Sequence, residues 1–214
     1  MSNIPTIDGP RVQPLSGRAP TSMVILAHGY GSNGEDLIGL APYWREALPD
    51  TIFISPNGPQ PCPGAPGMFQ WWPVWDMDRA AGVRGAAPVL DAFIDQELAR
   101  YGLSEDRLAL VGFSQGTMMA LHVAPRRART LAGVVGYSGM LADADPTGIL
   151  TRPPILLIHG DADPMIPIAA FHQSEAGLTA LGFKVATHVS PGVGHSVDLS
   201  GLRLGGEFLS EVLA

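Results

Sequence analysis

Short apolar runs alternate along the chain with segments that have helical periodicity. The apolar runs end in glycine, proline or polar residues, which is typical of buried parallel strands, and they cover residues 23–27, 51–55, 108–111, 131–137 and 155–158 and a run from Val185. Apolar residues three or four positions apart predict helices over 36–48, 86–101 and 168–181 and a terminal helix from Val197. This alternation predicts an α/β fold with a mostly parallel central sheet and helices on both of its faces.

Turn-forming residues mark the limits of several of these elements. Ser32 or Asn33 can cap the helix that is predicted to start at residue 36. Gly102 suits the C-terminal cap of the helix predicted at 86–101. Residues 56–67 contain too many prolines and glycines for regular structure, so we expect a loop there.

Length, composition and charge limit the class of protein. A chain of 214 residues that is 46% hydrophobic and 15% charged suits a single domain over residues 1–214. The net charge of −7 comes without a basic patch, so we expect no nucleic-acid partner. Cys62 is the only cysteine, which rules out an intrachain disulfide and favours a reducing compartment.

Targeting signals are not recognisable in the sequence. Residues 1–17 lack the basic and apolar regions of a signal peptide, and no apolar run is long enough to cross a bilayer. We therefore expect a cytoplasmic protein without stable membrane insertion. The sequence leaves open whether the chain forms a homodimer.

Residues 112–116 are Gly-Phe-Ser-Gln-Gly, between an apolar strand and a helical segment of small residues and methionines. In a G-x-S-x-G turn of this kind the serine lies on a sharp, strained bend, and side chains in place of the glycines would collide with neighbouring atoms. The bend holds the Ser114 hydroxyl clear of the sheet. The backbone N–H of Gln115 points into the same space at a helix N-terminus.

Ser114 is followed along the chain first by candidate aspartates and then by a candidate histidine, each in a loop just after a predicted strand. The strand at 155–158 runs into His-Gly-Asp-Ala-Asp-Pro at 159–164, and Gly-Val-Gly-His at 192–195 follows the next strand. A serine hydroxyl needs an imidazole to take its proton, and the imidazole needs a carboxylate to hold it. The order Ser, Asp, His is that of α/β-hydrolases, in which the three groups meet beyond the carboxyl ends of parallel strands.

Four ordered motifs, at residues 28–31, 112–116, 159–164 and 192–195, resemble those of the phospholipase/carboxylesterase family of small α/β-hydrolases. This family includes bacterial carboxylesterases and acyl-protein thioesterases, and the resemblance extends from about residue 28 to the end of the chain. It implies an α/β-hydrolase fold with no large lid domain, and an enzyme without a cofactor or a metal.

The resemblance also implies the roles of five residues. Ser114 is expected to be the nucleophile, Asp163 the acid and His195 the base of a catalytic triad. The backbone N–H groups of Tyr30 and Gln115 are expected to form the oxyanion hole.

Other residues compete for some of these roles. Asp161 stands two positions before Asp163, and we expect it to cap the turn, since the family's acid comes three residues after the glycine of the His-Gly pair. The remaining histidines are expected to make structural hydrogen bonds or to have packing and surface roles: His28, His122, His159, His172 and His188.

Two apolar segments are candidates for the acyl site. Residues 68–75 contain three of the four tryptophans, and the resemblance implies that a pocket is lined by Phe69, Trp71, Trp72 and Trp75. The alternative is that at least two of these side chains only anchor a long loop. A second family loop, at 138–141, implies apolar contacts with the substrate from Met140 and Leu141.

The sequence therefore predicts a serine carboxylesterase that hydrolyses short- to medium-chain esters, small acyl ester molecules, through an acyl-serine intermediate. The alternative is an acyl-protein thioesterase or a lysophospholipase of the same family. A serine peptidase of this fold is less favoured, because the chain has no room for an added propeller or cap. A non-catalytic binding protein is less favoured because every triad member is present.

Overall fold

Strands and helices alternate over residues 4–74 and 78–214, which are the residues that the computed structural model describes. The strands are β1 (Arg11–Val12), β2 (Ser22–Ala27), β3 (Thr51–Ile54), β4 (Gln60–Pro61), β5 (Phe69–Gln70), β6 (Leu108–Phe113), β7 (Gly133–Tyr137), β8 (Ile155–Gly160) and β9 (Val185–Ser190). The helices are α1 (Gly34–Ile38), α2 (Ala41–Trp44), α3 (Arg79–Tyr101), α4 (Gln115–Val123), α5 (Ile168–Ala180) and α6 (Leu199–Val212).

Seven of the strands form a central sheet in the order β1-β3-β2-β6-β7-β8-β9. All neighbours are parallel except β1, which is antiparallel to β3. The predicted fold class, an α/β fold with a mostly parallel sheet, is confirmed. No insertion within residues 4–74 and 78–214 is large enough to form a lid domain.

Alternate residues of the central strands enter two separate apolar layers. Ile25 and Leu110 pack on the side of α3, α4 and α5, whereas Val24 and Val111 pack on the side of α1, α2 and α6. Both faces of β2 and β6 are thus buried, which explains their uninterrupted apolar sequence. These strands form a rigid base for the loops at their carboxyl ends.

One predicted helix is wrong. The segment 36–48 forms two short helices, α1 and α2, because Pro42 has no N–H to bond to the carbonyl of Ile38 and its ring would collide with that carbonyl. The predicted cap is confirmed, since Asn33 Oδ1 accepts a hydrogen bond of 2.9 Å from Asp36 N–H.

Other limits differ from the prediction by a few residues. Helix α3 starts at Arg79, well before residue 86, and Asp78 caps it by accepting a hydrogen bond from Ala81 N–H. Gly102 ends α3 with a left-handed φ of 65°, as expected. Within the loop predicted at 56–67, the two residues of β4 pair with β5, so that prediction was incomplete.

The order of the strands brings the loops that follow β6, β7, β8 and β9 side by side at one edge of the sheet. Each candidate catalytic side chain lies on one of these loops. In the part of the chain that the structure describes, no helix has the length and apolar character needed to span a membrane.

Candidate active site

Ser114 lies on a strained bend between β6 and α4. Its φ of 53° and ψ of −113° fall in a region that costs a non-glycine residue about 1–3 kcal/mol. The flanking glycines are required by close approach: a Cβ at Gly112 would lie 2.4 Å from Thr117 N, and one at Gly116 would lie 1.8 Å from Ala27 O. The predicted steric need for both glycines is confirmed.

His195 and Asp163 form a close pair at the ends of β9 and β8. Nδ1 of His195 lies 2.7 Å from Oδ2 of Asp163, whose side chain is fully buried. The other carboxylate oxygen, Oδ1, accepts hydrogen bonds from the N–H groups of Met165 (2.8 Å) and Ile166 (2.9 Å). Both oxygens of the buried carboxylate are therefore satisfied.

The pKa of Asp163 is lowered despite its burial. Burial alone would raise the pKa, because it disfavours the charged form. The hydrogen bonds from Ile166 N–H, the His195 ring and Met165 N–H outweigh that effect. The carboxylate is thus ionised and able to hold the His195 ring with its proton on Nδ1.

The rival acid makes a different contact. Asp161 is exposed, and its Oδ1 accepts a hydrogen bond of 2.6 Å from Gly192 N–H. This bond ties the loop after β8 to the loop after β9. Asp163 is therefore the aspartate that contacts His195, and Asp161 links the two loops.

The imidazole of His195 lies against Phe113, the residue before Ser114, with the ring centroids 4.9 Å apart. Because Nδ1 faces Asp163, Nε2 is the nitrogen that remains to take a proton. Within the part of the chain that is described, Ser114 Oγ and Nε2 of His195 form no hydrogen bond. Such bonds are often long in enzymes without substrate and shorten when the substrate binds.

The loop before α1 presents the backbone N–H of Tyr30. The imidazole of buried His28 accepts a hydrogen bond from Gly58 N–H at Nε2 (2.8 Å), so its proton is on Nδ1, which donates to Gly29 O (2.7 Å). Burial lowers the pKa of His28, which keeps the ring neutral. Gly29 C=O and Tyr30 N–H belong to one peptide unit, which is planar and trans, so the two groups point in opposite directions. The hydrogen bond that holds Gly29 C=O toward His28 therefore directs Tyr30 N–H away from His28.

Gln115 is the first residue of α4, where a helix leaves backbone N–H groups without internal partners. Its buried side chain makes two hydrogen bonds to a single neighbouring segment. Oε1 accepts from Trp71 N–H, and Nε2 donates to Trp72 O, each over 2.9 Å. Neither Gln115 N–H nor Tyr30 N–H donates to another described residue.

The tryptophan segment is built into the core. Trp71 is 1% exposed, and its Nε1 donates to His28 O over 2.9 Å. Trp72 is 3% exposed and packs on α3, where a Cβ at Gly82 would lie 2.3 Å from its ring. This burial favours the alternative in which the two rings anchor the loop. Trp75 lies outside the described residues.

The other predicted acyl contacts are partly buried. Phe69 pairs through its backbone with the loop after β2, since Phe69 N–H donates to Ser32 O and Gly31 N–H donates to Phe69 O. Met140 and Leu141 lie on the loop after β7, beside the Ser114 bend. The side chain of Leu141 also packs on α5.

The remaining histidines make structural contacts, apart from exposed His172. Nε2 of His159 donates to Ile166 O over 2.8 Å and supports the loop that carries Asp163. His122 is buried beside Asp143, and His188 lies 3.3 Å from Ser200 Oγ, whereas the side chain of His172 is 60% exposed. Among residues 4–74 and 78–214, no three potential metal ligands cluster.

Three contributions to the site were missed by the sequence prediction. These are the ring of Phe113 against His195, the side-chain amide of Gln115, and Ser138, whose Oγ donates to Ser196 O over 3.4 Å. A signal existed for Gln115, a large polar residue at the start of a mostly apolar helix. Ser138 carried a similar signal, as a polar residue directly after a buried strand.

The sheet order, the helices on both faces and the serine bend after β6 define the protein class as an α/β-hydrolase. The family model for phospholipase/carboxylesterase matches residues 9–213. The chain belongs to the phospholipase/carboxylesterase family and is an ester hydrolase.

Individual relatives agree with this family. The chain is similar to esterase PE8, with 40% identity and a TM-score of 0.92 over 97% of this chain and all of that one. It is 30% identical over 212 residues to acyl-protein thioesterase 1 of Gibberella zeae, covering 87% of this chain and 89% of the relative. It is 27% identical over 179 residues to esterase YpfH of Escherichia coli, covering 82% and 76%.

Proposed function

We propose that the protein is a serine carboxylesterase that hydrolyses short- to medium-chain carboxylic esters through an acyl-serine intermediate. The observation that carries the proposal is the 2.7 Å pair of His195 and buried Asp163, at the same sheet edge as Ser114. A carboxylate held in this way orients an imidazole and stabilises its charged form, which is the arrangement a serine nucleophile needs.

In the first half of the reaction, Nε2 of His195 takes the proton of Ser114 as Oγ attacks the acyl carbonyl. The carbonyl oxygen becomes an oxyanion, which accepts hydrogen bonds from the N–H groups of Tyr30 and Gln115. One such donor supplies about 2.7–4 kcal/mol of transition-state stabilisation. Protonated His195 then gives its proton to the leaving alcohol, and the acyl group stays on Ser114.

In the second half, His195 takes a proton from water as the water attacks the acyl-serine carbonyl. The oxyanion forms again in the same place. His195 then returns the proton to Ser114 Oγ, which releases the carboxylic acid and restores the free enzyme. Asp163 stays ionised throughout, and its lowered pKa supports this role.

The acyl chain is proposed to contact Met140 and Phe69, which are partly buried. Met140 is on the loop after β7, the strand next to β6, and Phe69 is on the segment that hydrogen-bonds to Gln115, the residue after Ser114. Trp71 and Trp72 are proposed to contribute by positioning their loop, because their rings are already buried in the core. Two of the relatives carry the name esterase, which supports an oxygen ester as the substrate.

The second candidate function is thioester hydrolysis. It is favoured by the similarity to a protein named acyl-protein thioesterase 1. The same triad chemistry would serve, with a thiol as the leaving group in place of an alcohol.

Substrate panels test the proposal and separate the two functions. The kcat/KM values of p-nitrophenyl esters with graded acyl lengths are compared with those of thioesters that carry the same acyl groups. We expect the highest values for short and medium oxygen esters, and loss of activity in Ser114→Ala with the fold retained. Higher kcat/KM values for long-chain thioesters would favour the second candidate, and near-normal ester hydrolysis by Ser114→Ala would remove Ser114 from the mechanism.

A further inference from the structure

We propose that the Gln115 side chain and residues 69–72 form a brace that fixes the spacing of the two oxyanion N–H groups, those of Tyr30 and Gln115. This inference rests on the proposed function, because it assigns a positioning role to groups around the same site. The two donors are on separate segments, Tyr30 on the loop after β2 and Gln115 at the start of α4, so their spacing depends on contacts between these segments.

One end of the brace is Gln115 itself. Its side-chain amide bonds to the backbone of both Trp71 and Trp72, accepting from the N–H of one and donating to the C=O of the other, each over 2.9 Å. An amide in this position acts as a strand partner does, with one donor and one acceptor for an otherwise unpaired backbone. Gln115 is 2% exposed, so water does not compete for these bonds.

The other end of the brace is the loop after β2, which carries Tyr30. Phe69 N–H donates to Ser32 O over 2.7 Å, and Gly31 N–H donates to Phe69 O over 3.0 Å. The indole Nε1 of Trp71 donates to His28 O over 2.9 Å. The peptide that supplies the N–H of Tyr30 thus lies between two tethers to the same four-residue segment.

The brace therefore connects Gln115 to the Tyr30 loop by a continuous path of hydrogen bonds. The loop is not part of a helix or strand, so sheet pairing alone does not fix its position. Oxyanion donors act only when they are held about 2.7–3.1 Å from the developing charge. A misplacement of about 1 Å can cost a factor of about 100 in rate.

The test uses Gln115→Met, which keeps the size and burial of the side chain and removes both hydrogen bonds. We expect kcat for p-nitrophenyl butyrate to fall about 10- to 100-fold, with KM within about threefold. Binding of n-butylboronic acid is measured in parallel, because its tetrahedral adduct with serine places an oxygen where the oxyanion forms. Its affinity is expected to fall by about the same factor as kcat.

Leu121→Ala is the matched control, since Leu121 is a buried residue of the same helix, 1% exposed, whose apolar side chain takes no part in the hydrogen bonds of the brace. It is expected to lower the melting temperature while kcat and boronic acid affinity stay within about threefold of wild type. If Gln115→Met kept wild-type kcat and boronic acid affinity, or if Leu121→Ala lost as much of both, the brace would have no positioning role.

Trp71→Phe provides a second variant in case Gln115→Met does not fold. It keeps a buried aromatic ring and removes the hydrogen bond to His28 O together with part of the buried ring volume. We expect kcat to fall about three- to tenfold, and an unchanged kcat would overturn the inference. Ser114→Ala separates the two proposals. If it stays active, the proposed function fails and the brace inference fails with it. If it is inactive while the brace variants are fully active, the brace inference alone fails.

Discussion

His195 and Asp163 are 32 positions apart in the chain, yet Nδ1 of one lies 2.7 Å from Oδ2 of the other. The contact exists because β8 and β9 are parallel neighbours, so their carboxyl ends place the two loops side by side. The carboxylate keeps its second oxygen on two backbone N–H groups, which fixes its orientation. The pair can therefore orient the imidazole without moving.

The two loop aspartates should differ sharply on substitution. Asp163→Asn replaces the charged partner of His195 and favours the wrong imidazole tautomer, so we expect kcat to fall about 10³- to 10⁴-fold with the fold retained. Asp161→Asn keeps an oxygen that can accept from Gly192 N–H, so kcat should stay within about threefold of wild type. Steady-state ester hydrolysis measures both. Equal losses in the two variants would contradict the assignment of Asp163.

The same substitution at two helical glycines should have opposite effects on stability. A Cβ at Gly116 would lie 1.8 Å from Ala27 O, so Gly116→Ala should lower the free energy of unfolding by about 3 kcal/mol or more. A Cβ at Gly85 would meet no atom within 4 Å, and Gly85→Ala should raise it by about 0.5–1 kcal/mol. Urea unfolding measures both changes. Tolerance of Gly116→Ala would show that the bend after β6 is looser than the structure indicates.

Stability should depend on pH through His122. The pKa of His122 is lowered to about 4, mainly by burial and further by the positive charges of Arg126 and Arg84, while Asp143 opposes the shift. In the unfolded chain the ring takes a proton below about pH 6.5. The unfolded state therefore binds more protons between pH 6.5 and 4, and stability should fall as the pH falls through this range, by about 2 kcal/mol from pH 7 to pH 5.

The His122 prediction is measured by urea unfolding at pH 7 and pH 5. His122→Gln removes the titrating ring and should show a smaller loss of stability at pH 5 than wild type. His172→Gln is the control, because the side chain of His172 is 60% exposed, and it should keep the wild-type dependence. If wild type and both variants lost the same free energy of unfolding between pH 7 and pH 5, the imidazole of His122 would not be the source of the pH dependence.

The sequence predicted the features that depend on local pattern and chain order. The strand before Ser114, the glycines around it and the loops with Asp163 and His195 all follow from short segments. The strands are nearly continuous apolar runs, because both of their faces are buried. Parallel pairing of such strands then places the loops at one edge of the sheet.

The features that were not predicted depend on contacts between distant residues. Gln115 bonds to Trp71 across 44 positions, and no local pattern specifies that partner. The sequence left open whether Trp71 and Trp72 face a pocket or the core, since an aromatic ring suits either environment. The break in the helix predicted at 36–48 could have been predicted from the sequence, because Pro42 disfavours a continuous helix there.

The central claim is that Ser114 is the nucleophile that His195 activates. The most direct measurement is peptide mapping by mass spectrometry after labelling with a fluorophosphonate, which reacts covalently with an activated serine. We expect one adduct, on the peptide that contains Ser114, with labelling lost in Ser114→Ala and strongly slowed in His195→Ala. Labelling of another residue, or equal labelling of wild type and Ser114→Ala, would contradict the account.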